Sequence, residues 1–403
     1  MRNLIFIGLF MSLTSCQNDL KNELSEGIYR ATLEVQDSEV LPFNFEVLAD
    51  KTLNMFNAEE VINVDEIEYR NDSIFIRFPV YEGYFAAVFD GKDLRGNYIK
   101  ESLERVVPFY AEYGNKTRFS DSEGPSEDAT GVWEAVFSKG IKGDEYIAKG
   151  IFKQVDGKVT GTFRTTTGDY RYLEGHMDGN KMRLSAFDGA HAFLFIATVT
   201  DSIMRGQFYS GNHWKEPFEA IRNDGYELPH ADNLTFLKDG YDRFDFSFPN
   251  SEGKMISLDD KQFEDKVVIV QIMGTWCPNC LDESRYYSTY VKQNKNKDLA
   301  FVALAFEYAK TKEKAFEGIA RLKERLNIPY PILLAQVGTS SKTEAQKKLP
   351  MLNHVLSYPT TIFIDKKGEV RKIHTGFNGP ATGEKYITFQ KEFDAFVKSL
   401  LNE

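Results

Sequence analysis

From residue 27 to about residue 224, hydrophobic and polar positions alternate with a period of two. In Ile28-Tyr29-Arg30-Ala31-Thr32-Leu33-Glu34-Val35, the side chains of Tyr29, Ala31, Leu33 and Val35 fall on one face and those of Arg30, Thr32 and Glu34 on the other. That is the pattern of a half-buried strand. Residues 73–78 and 181–186 read the same way. The pairs Asn71-Asp72, Asp90-Gly91, Asp156-Gly157, Asp178-Gly179 and Asp188-Gly189 separate such runs with turn chemistry. No stretch of this half carries a sustained helical period.

The half also repeats itself. Gly27-Ile28-Tyr29-Arg30-Ala31 corresponds to Gly131-Val132-Trp133-Glu134-Ala135, Leu94-Arg95-Gly96-Asn97-Tyr98 to Met204-Arg205-Gly206-Gln207-Phe208, and Pro108-Phe109-Tyr110-Ala111-Glu112 to Pro217-Phe218-Glu219-Ala220-Ile221. A small insertion in the second copy accommodates the drifting offset. The expected organisation is a β-rich repeat over residues 27–114, a linker rich in Ser, Asp, Glu and Gly over 115–130, and a second repeat over 131–224. Each copy has room for about seven or eight short strands, and sequential strands with tight turns suit an up-and-down barrel or a sandwich. The Gly-x-Tyr and Gly-x-Trp openings have a slight similarity to lipocalin-like barrels. Such a barrel can hold a small ligand or be filled by its own aromatics; the second, with the unit serving as spacer or docking surface, is the expected case. His176, His191 and His213 lack ligand-like spacing, so no metal site is expected there.

Past a connector over residues 225–242 the pattern changes. Phe244-Asp245-Phe246-Ser247-Phe248 predicts a strand. The run Lys266-Val267-Val268-Ile269-Val270-Gln271-Ile272-Met273 is continuously apolar and β-branched, as in a strand buried on both faces. It runs into Gly274-Thr275-Trp276-Cys277-Pro278-Asn279-Cys280, after which residues 281–294 are polar and helical in character. Residues 299–306 predict another buried strand, closed by Glu307.

With 403 residues the chain exceeds one ordinary core, and its 32 Phe and 20 Tyr favour a large β portion. The net charge of -11 argues against nucleic acid as a partner. There are only 3 cysteines, at 16, 277 and 280, too few for a disulfide scaffold.

Residues 1–15 read as a signal peptide of the lipoprotein type. Arg2 supplies a positive start, and Leu4 to Leu13 form an apolar stretch too short to span a bilayer. Leu13-Thr14-Ser15-Cys16 resembles a bacterial lipobox, in which Cys16 carries the lipid that anchors the protein to the membrane and residues 16–26 form a tether. The expected location is the bacterial cell envelope, facing the periplasm or surface-exposed.

Strand, tight turn, Cys-x-x-Cys and helix form the arrangement disulfide exchange needs. A first cysteine at a helix N-terminus is held as thiolate by free N–H groups and the helix dipole, and a second within bonding reach resolves the mixed disulfide. Half a zinc site is the competing reading, but no further cysteine and no paired histidine completes four ligands. No metal or cofactor is expected.

Residues 234–403 resemble the envelope thioredoxins of the ResA/TlpA type, common as lipoproteins in bacteria of the Bacteroidetes kind. Trp276-Cys277-Pro278-Asn279-Cys280 matches the active-site motif. Ser357-Tyr358-Pro359-Thr360-Thr361 matches the strand that begins with the family's cis-proline, and Lys367-Gly368-Glu369-Val370 the following hairpin turn. The resemblance implies an α/β thioredoxin fold over residues 243–403 and a protein-disulfide reductase acting on thiols and disulfides of envelope proteins. A membrane electron donor would re-reduce the pair, and cytochrome c maturation is one destination of such reducing power. It implies a Cys277–Cys280 redox disulfide with Cys277 attacking, Cys280 resolving, Trp276, Pro278 and Tyr358 shaping the docking surface with Pro359, and Glu307 tuning the cysteines. Two rivals are a thiol peroxidase of the same core, whose Pro-x-x-x-Thr/Ser-x-x-Cys motif is missing, and a ligand-binding lipoprotein with an auxiliary redox domain. The sequence departs from cytoplasmic thioredoxins at Gln271, where those have a buried Asp. Gln carries no titratable proton at neutral pH, so the proton of Cys280 is left to Glu307 or water.

Overall fold

The computed structural model describes residues 23–120 and 122–403. Cys16 and the leader lie outside them. Three units follow one another along the chain: two antiparallel β units and an α/β unit.

The first β unit is a nine-stranded meander in which Gly27–Glu34 pairs with both Val40–Val47 and Arg105–Tyr113, so the sheet curls back on its own start. It stays open between Glu60–Val64 and Glu66–Arg70, the two ends of the strand order. The second unit also has nine strands and goes further. Tyr146–Val155 pairs with both Gly131–Phe137 and Lys158–Thr165, which closes the sheet into a barrel, with the two-residue strand Gly168–Asp169 appended. Closure removes the unpaired edge that an open sheet exposes.

The duplication appears as an identical register. Ala31 faces Ala111 and Leu33 faces Phe109 in the first unit; Ala135 faces Ala220 and Phe137 faces Phe218 in the second. Gly96 lies opposite Phe109, and Gly206 opposite Phe218. A Cβ on either glycine would sit about 2 Å from a carbonyl of the neighbouring strand, at Ala86 and Ile196 respectively, so both copies need glycine there for close approach.

Inward-pointing aromatics fill the second barrel. Phe137 stacks on Phe218 at 5.2 Å and meets Phe163 edge-on at 5.3 Å, and Trp133 donates its indole N–H to Ala129 O. The first unit packs on the second through Phe43 and Phe187, whose rings stack at 4.6 Å. The segment between the copies is tied down rather than slack. Arg118 is buried and donates to Phe56 O, Asn57 Oδ1 and both Ser185 Oγ and Ser185 O, so it bridges the two units. The bonds satisfy a guanidinium that would otherwise be costly to bury.

The third unit is a five-stranded sheet in the order Ile332–Gln336, Leu299–Phe306, Val267–Met273, Thr360–Ile364, Val370–Thr375. The first three run parallel, Thr360–Ile364 runs antiparallel to the central Val267–Met273, and Val370–Thr375 runs antiparallel to Thr360–Ile364. Every residue of Val267–Met273 is buried, as a strand covered on both faces requires. The helices are α1 (Pro278–Gln293), α2 (Lys312–Leu326), α3 (Lys342–Lys348) and α4 (Glu384–Leu401). The expected strand at 244–248 is displaced: pairing is confined to Ser247–Pro249 against Met255–Ser257, while Phe244 and Phe246 are buried in loop backbone as core plugs. Alternation there reflects two apolar anchors, not a ladder.

Candidate active site

The buried central strand ends at Met273 and hands the chain to α1 through one turn. Cys277 is the N-cap of α1, with extended backbone (φ -100, ψ 113). Its Sγ accepts the backbone N–H of Cys280 at 3.2 Å, the bond a capping oxygen would normally make. Pro278 takes the first helical position, where its missing N–H leaves nothing unsatisfied. Cys277 and Cys280 form a disulfide with Cα atoms 5.2 Å apart. Cys277 is 6% exposed and Cys280 0%. When the pair is reduced, the sulfur facing the free helix N–H groups and the positive end of the dipole is that of Cys277.

Three neighbouring elements frame the pair. The strand Thr360–Ile364 lies antiparallel to Val267–Met273, which brings the loop before it against the cysteines. The Tyr358–Pro359 bond in that loop is cis, and Tyr358 O lies 3.4 Å from Cys277 Sγ. Trp276 donates its indole N–H to Phe306 O and packs edge-on against Tyr358 at 5.5 Å.

Glu307, just past the strand Leu299–Phe306, is buried. Its two oxygens accept the Thr275 N–H at 2.8 Å and the Thr275 hydroxyl at 2.7 Å, so it grips the turn before Trp276 and Cys277. Burial pushes its carboxyl up to about 7, against the lowering effect of the two Thr275 bonds.

A second buried carboxyl escaped the sequence reading. Glu283 is 0% exposed and sits one helical turn after Cys280. It accepts from Gln271 Nε2 at 2.8 Å, Thr361 Oγ1 at 2.9 Å and Tyr287 OH at 3.0 Å. Burial raises it to about 7, opposed by those three donors. Gln271 Nε2 also lies 3.4 Å from Cys280 O, so the glutamine ties Glu283 to the backbone of Cys280. The spacing Cys280, Glu283, Tyr287 on one helical face was the available clue, obscured by the charged run Asp282-Glu283-Ser284-Arg285.

The second β unit reaches this site. Thr165–Tyr170, at the tip of a barrel hairpin, lies against α1 and the cis-proline loop. Asn279, between the cysteines, donates to Asp169 O at 3.2 Å, Ser357 donates to Thr167 O at 2.7 Å, and Gly379 N donates to Asp169 Oδ2 at 2.6 Å. Contact is so close that a Cβ on Gly168 would fall 1.9 Å from Asn279 Nδ2. Beside it Arg171, 5% exposed, donates to Pro278 O at 3.3 Å and pairs with Asp282 on α1, Glu60 of the first β unit and Asp188 of the second. One guanidinium therefore holds carboxylates from all three units.

Comparison with known proteins places this geometry in context. The Redoxin family matches residues 241–387. The thioredoxin-like protein YneN of Bacillus subtilis is 30% identical over 140 residues, covering 35% of this chain and 73% of that protein. The thiol-disulfide oxidoreductase ResA of Bacillus thuringiensis is 28% identical over 142 residues, covering 35% and 72%. A solved thiol-disulfide oxidoreductase from Bacteroides fragilis is 20% identical over 37% of this chain and 98% of that one, at a TM-score of 0.27. Taken with the Cys277–Cys280 disulfide, the Redoxin match and the two Bacillus relatives show that the chain belongs to the ResA-like, thioredoxin-fold thiol–disulfide oxidoreductases.

Proposed function

We propose that this oxidoreductase works as a reductase on disulfides of bacterial envelope proteins, with Cys277 as nucleophile and Cys280 as resolving thiol. The observation that carries the reading is the asymmetry of the pair: Cys277 Sγ accepts a helix N–H and retains exposure, while Cys280 is sealed. The Cys277 thiolate attacks one sulfur of the substrate disulfide, forming a mixed disulfide and releasing the other substrate sulfur as a thiolate that takes up a proton. Cys280, having lost its proton, attacks Cys277, forms the intramolecular disulfide and releases the second substrate thiolate. Two electrons pass from the enzyme dithiol to the substrate, and a membrane dithiol donor restores the pair. Trp276, Pro278, Tyr358 and Pro359 bound the space where the mixed disulfide forms. Alkylation of the reduced protein across pH should label Cys277 at lower pH than Cys280; preferential labelling of Cys280 would overturn the assignment.

Proton removal from Cys280 falls to Glu307 or Glu283. The unperturbed thiol titrates near about 8.5, so at neutral pH a base with a carboxyl near 7 speeds resolution. A base works in its ionised form, so the rate of resolution should rise as pH passes about 7. Stopped-flow reduction of a model disulfide from acid to mild alkali should lose that inflection in the glutamine variant of the acting residue. The hydrogen-bond link through Gln271 favours Glu283→Gln as the larger effect, about a hundredfold, the lower end of the range for general bases. Two profiles superimposable on the wild type would leave the step to water.

Residues 1–15 act as an export leader in this reading, and Cys16 carries lipid that holds the enzyme to the membrane. Cys16→Ala should release the protein to the soluble fraction or leave the leader uncleaved. Unchanged membrane retention with normal processing would refute the anchor. Among the described residues no helix is long and apolar enough to cross a membrane.

A further inference from the structure

A hairpin of the second β unit ends inside the redox site. Its strands are Lys158–Thr165 and Gly168–Asp169, turned by Thr166 and Thr167. From Thr165 to Asp169 it carries no apolar side chain, so hydrogen bonds and close fit place it.

This tip touches both segments that face Cys277. On one side Asp169 O accepts from Asn279 Nδ2 at 3.2 Å, and Asn279 stands between the cysteines. On the other Thr167 O accepts from Ser357 Oγ at 2.7 Å, two residues before the cis-proline. A Cβ on Gly376, whose N–H donates to Pro359 O at 2.9 Å, would fall 2.8 Å from Thr167 C, so the strand beyond the cis-proline has the tip against it as well. Cys277 Sγ lies between the same two segments, 3.2 Å from Cys280 N and 3.4 Å from Tyr358 O. The width of the gap that holds the sulfur is therefore spanned by a single element bonded to both of its walls.

The tip has little freedom of its own. Arg164 Nε donates to Asn378 Oδ1 at 3.0 Å, Gly379 N to Asp169 Oδ2 at 2.6 Å and Arg171 to Pro278 O at 3.3 Å. Gly168 has φ +148, and a Cβ there would collide with Asn279 Nδ2.

We infer that the tip of this barrel hairpin is a positioning element of the redox site: by holding Asn279 and Ser357 at a fixed separation it sets the place of Cys277 Sγ between Cys280 N and Tyr358 O. Asn279 is then an anchor for the β unit, and Gly168 and Thr167 act on the chemistry through Asn279 and Ser357. A thiolate at Cys277 is stabilised only while the Cys280 N–H stays within reach, and its attack is efficient only while the sulfur keeps its direction. The inference deepens the reductase reading and rests on Cys277 being the nucleophile.

The test uses the detergent-solubilised full chain with its pair reduced. Gly168→Ala wedges the tip off Asn279 from within the β unit, while Asn279→Ala and Ser357→Ala each remove one bond. No charge changes in any of them. Glu307 and Glu283 behind the pair, Arg171 and Asp282 at α1 and Asp169 at the tip all remain. So do Lys100, Arg105, His213, Glu145 and Glu216 across the cavity that Cys277 lines. A displaced Cys277 titration then reports position. In Gly168→Ala, alkylation of Cys277 should move to higher pH and slow by about tenfold at neutral pH, as for a thiol titrating about one pH unit higher. Reduction of a small uncharged disulfide should slow in parallel, through kcat rather than KM. Adding Asn279→Ala to Gly168→Ala should slow labelling no further than the slower single variant, because the wedge acts through Asn279. Should Gly168→Ala not fold, the Asn279→Ala, Ser357→Ala double variant, which only removes atoms, carries the same expectation. Alkylation profiles that superimpose on the wild type overturn the inference, even if turnover falls, since the hairpin would then be structural only. Additive effects of Gly168→Ala and Asn279→Ala also overturn it. Preferential labelling of Cys280 in the wild type would instead defeat the nucleophile assignment itself, and this inference with it.

Discussion

Cys280→Ser protein, reduced and incubated with an envelope extract, is expected to accumulate reductant-sensitive adducts on Cys277 and to lose multiple turnover by at least about four orders of magnitude, the scale on which removal of one member of a catalytic unit acts. Cys277 keeps its helix-start position and the N–H of residue 280, so it still forms the mixed disulfide. No second thiol remains in the α/β unit to displace the product. Cys277→Ser should lose turnover equally but form no adduct, because Cys280 is sealed from substrate. Non-reducing gels and mass spectrometry of the trapped species distinguish the two. Equal trapping by both variants would show that the cysteines are interchangeable, contrary to their unequal burial.

Arg171→Ala is the second large effect. The guanidinium is surrounded by Glu60, Asp188 and Asp282, one from each unit, and its own pKa is held above the ordinary value by these carboxylates against burial. Removing it leaves carboxylates uncompensated in a buried site, a loss of about 3–5 kcal/mol. Chemical denaturation should show an earlier first transition, and limited proteolysis should cut between the β units and the α/β unit. The loss should shrink in acid as the orphaned carboxylates take up protons. Glu60 leads, because burial already raises its pKa even with Arg171 present. A simultaneous change of Arg171 to Met with Glu60→Gln and Asp282→Asn should recover part of the stability, since apolar or neutral replacements of the whole cluster escape the penalty. An unshifted Arg171→Ala transition would mean the units do not depend on this contact.

Much of the redox unit was legible in the sequence because its information is local. A continuous β-branched run, a cysteine pair with proline between, and a polar helical stretch define strand, cap and helix within a few residues. The buried strand, the helix start at Pro278 and the strand ending before Glu307 follow from that pattern alone. The duplication was legible for a similar reason. Gly96 and Gly206 sit at corresponding places because the backbone of the neighbouring strand leaves no room for a Cβ at either. Phe244 and Phe246 misled, since period two marks alternating burial whether or not a partner strand is present.

What the sequence determined by itself was therefore the identity and spacing of the reactive groups, the alternating faces of the β units, and the fold class that each pattern permits. Tertiary structure alone decided that a buried carboxyl, Glu283, is linked through Gln271 to the backbone of Cys280. Glu283 and Gln271 are twelve residues apart, and only the packing of α1 on the central strand turns them into a hydrogen-bonded pair. It alone decided that Arg171 would gather Glu60 and Asp282, each 111 residues away, and that a barrel hairpin would roof the cysteines. Periodicity reports which face of an element is buried, not what that face is buried against. Charges that meet across units leave no local trace, because each is unremarked in its own segment and acquires its energy only when the surrounding water is removed.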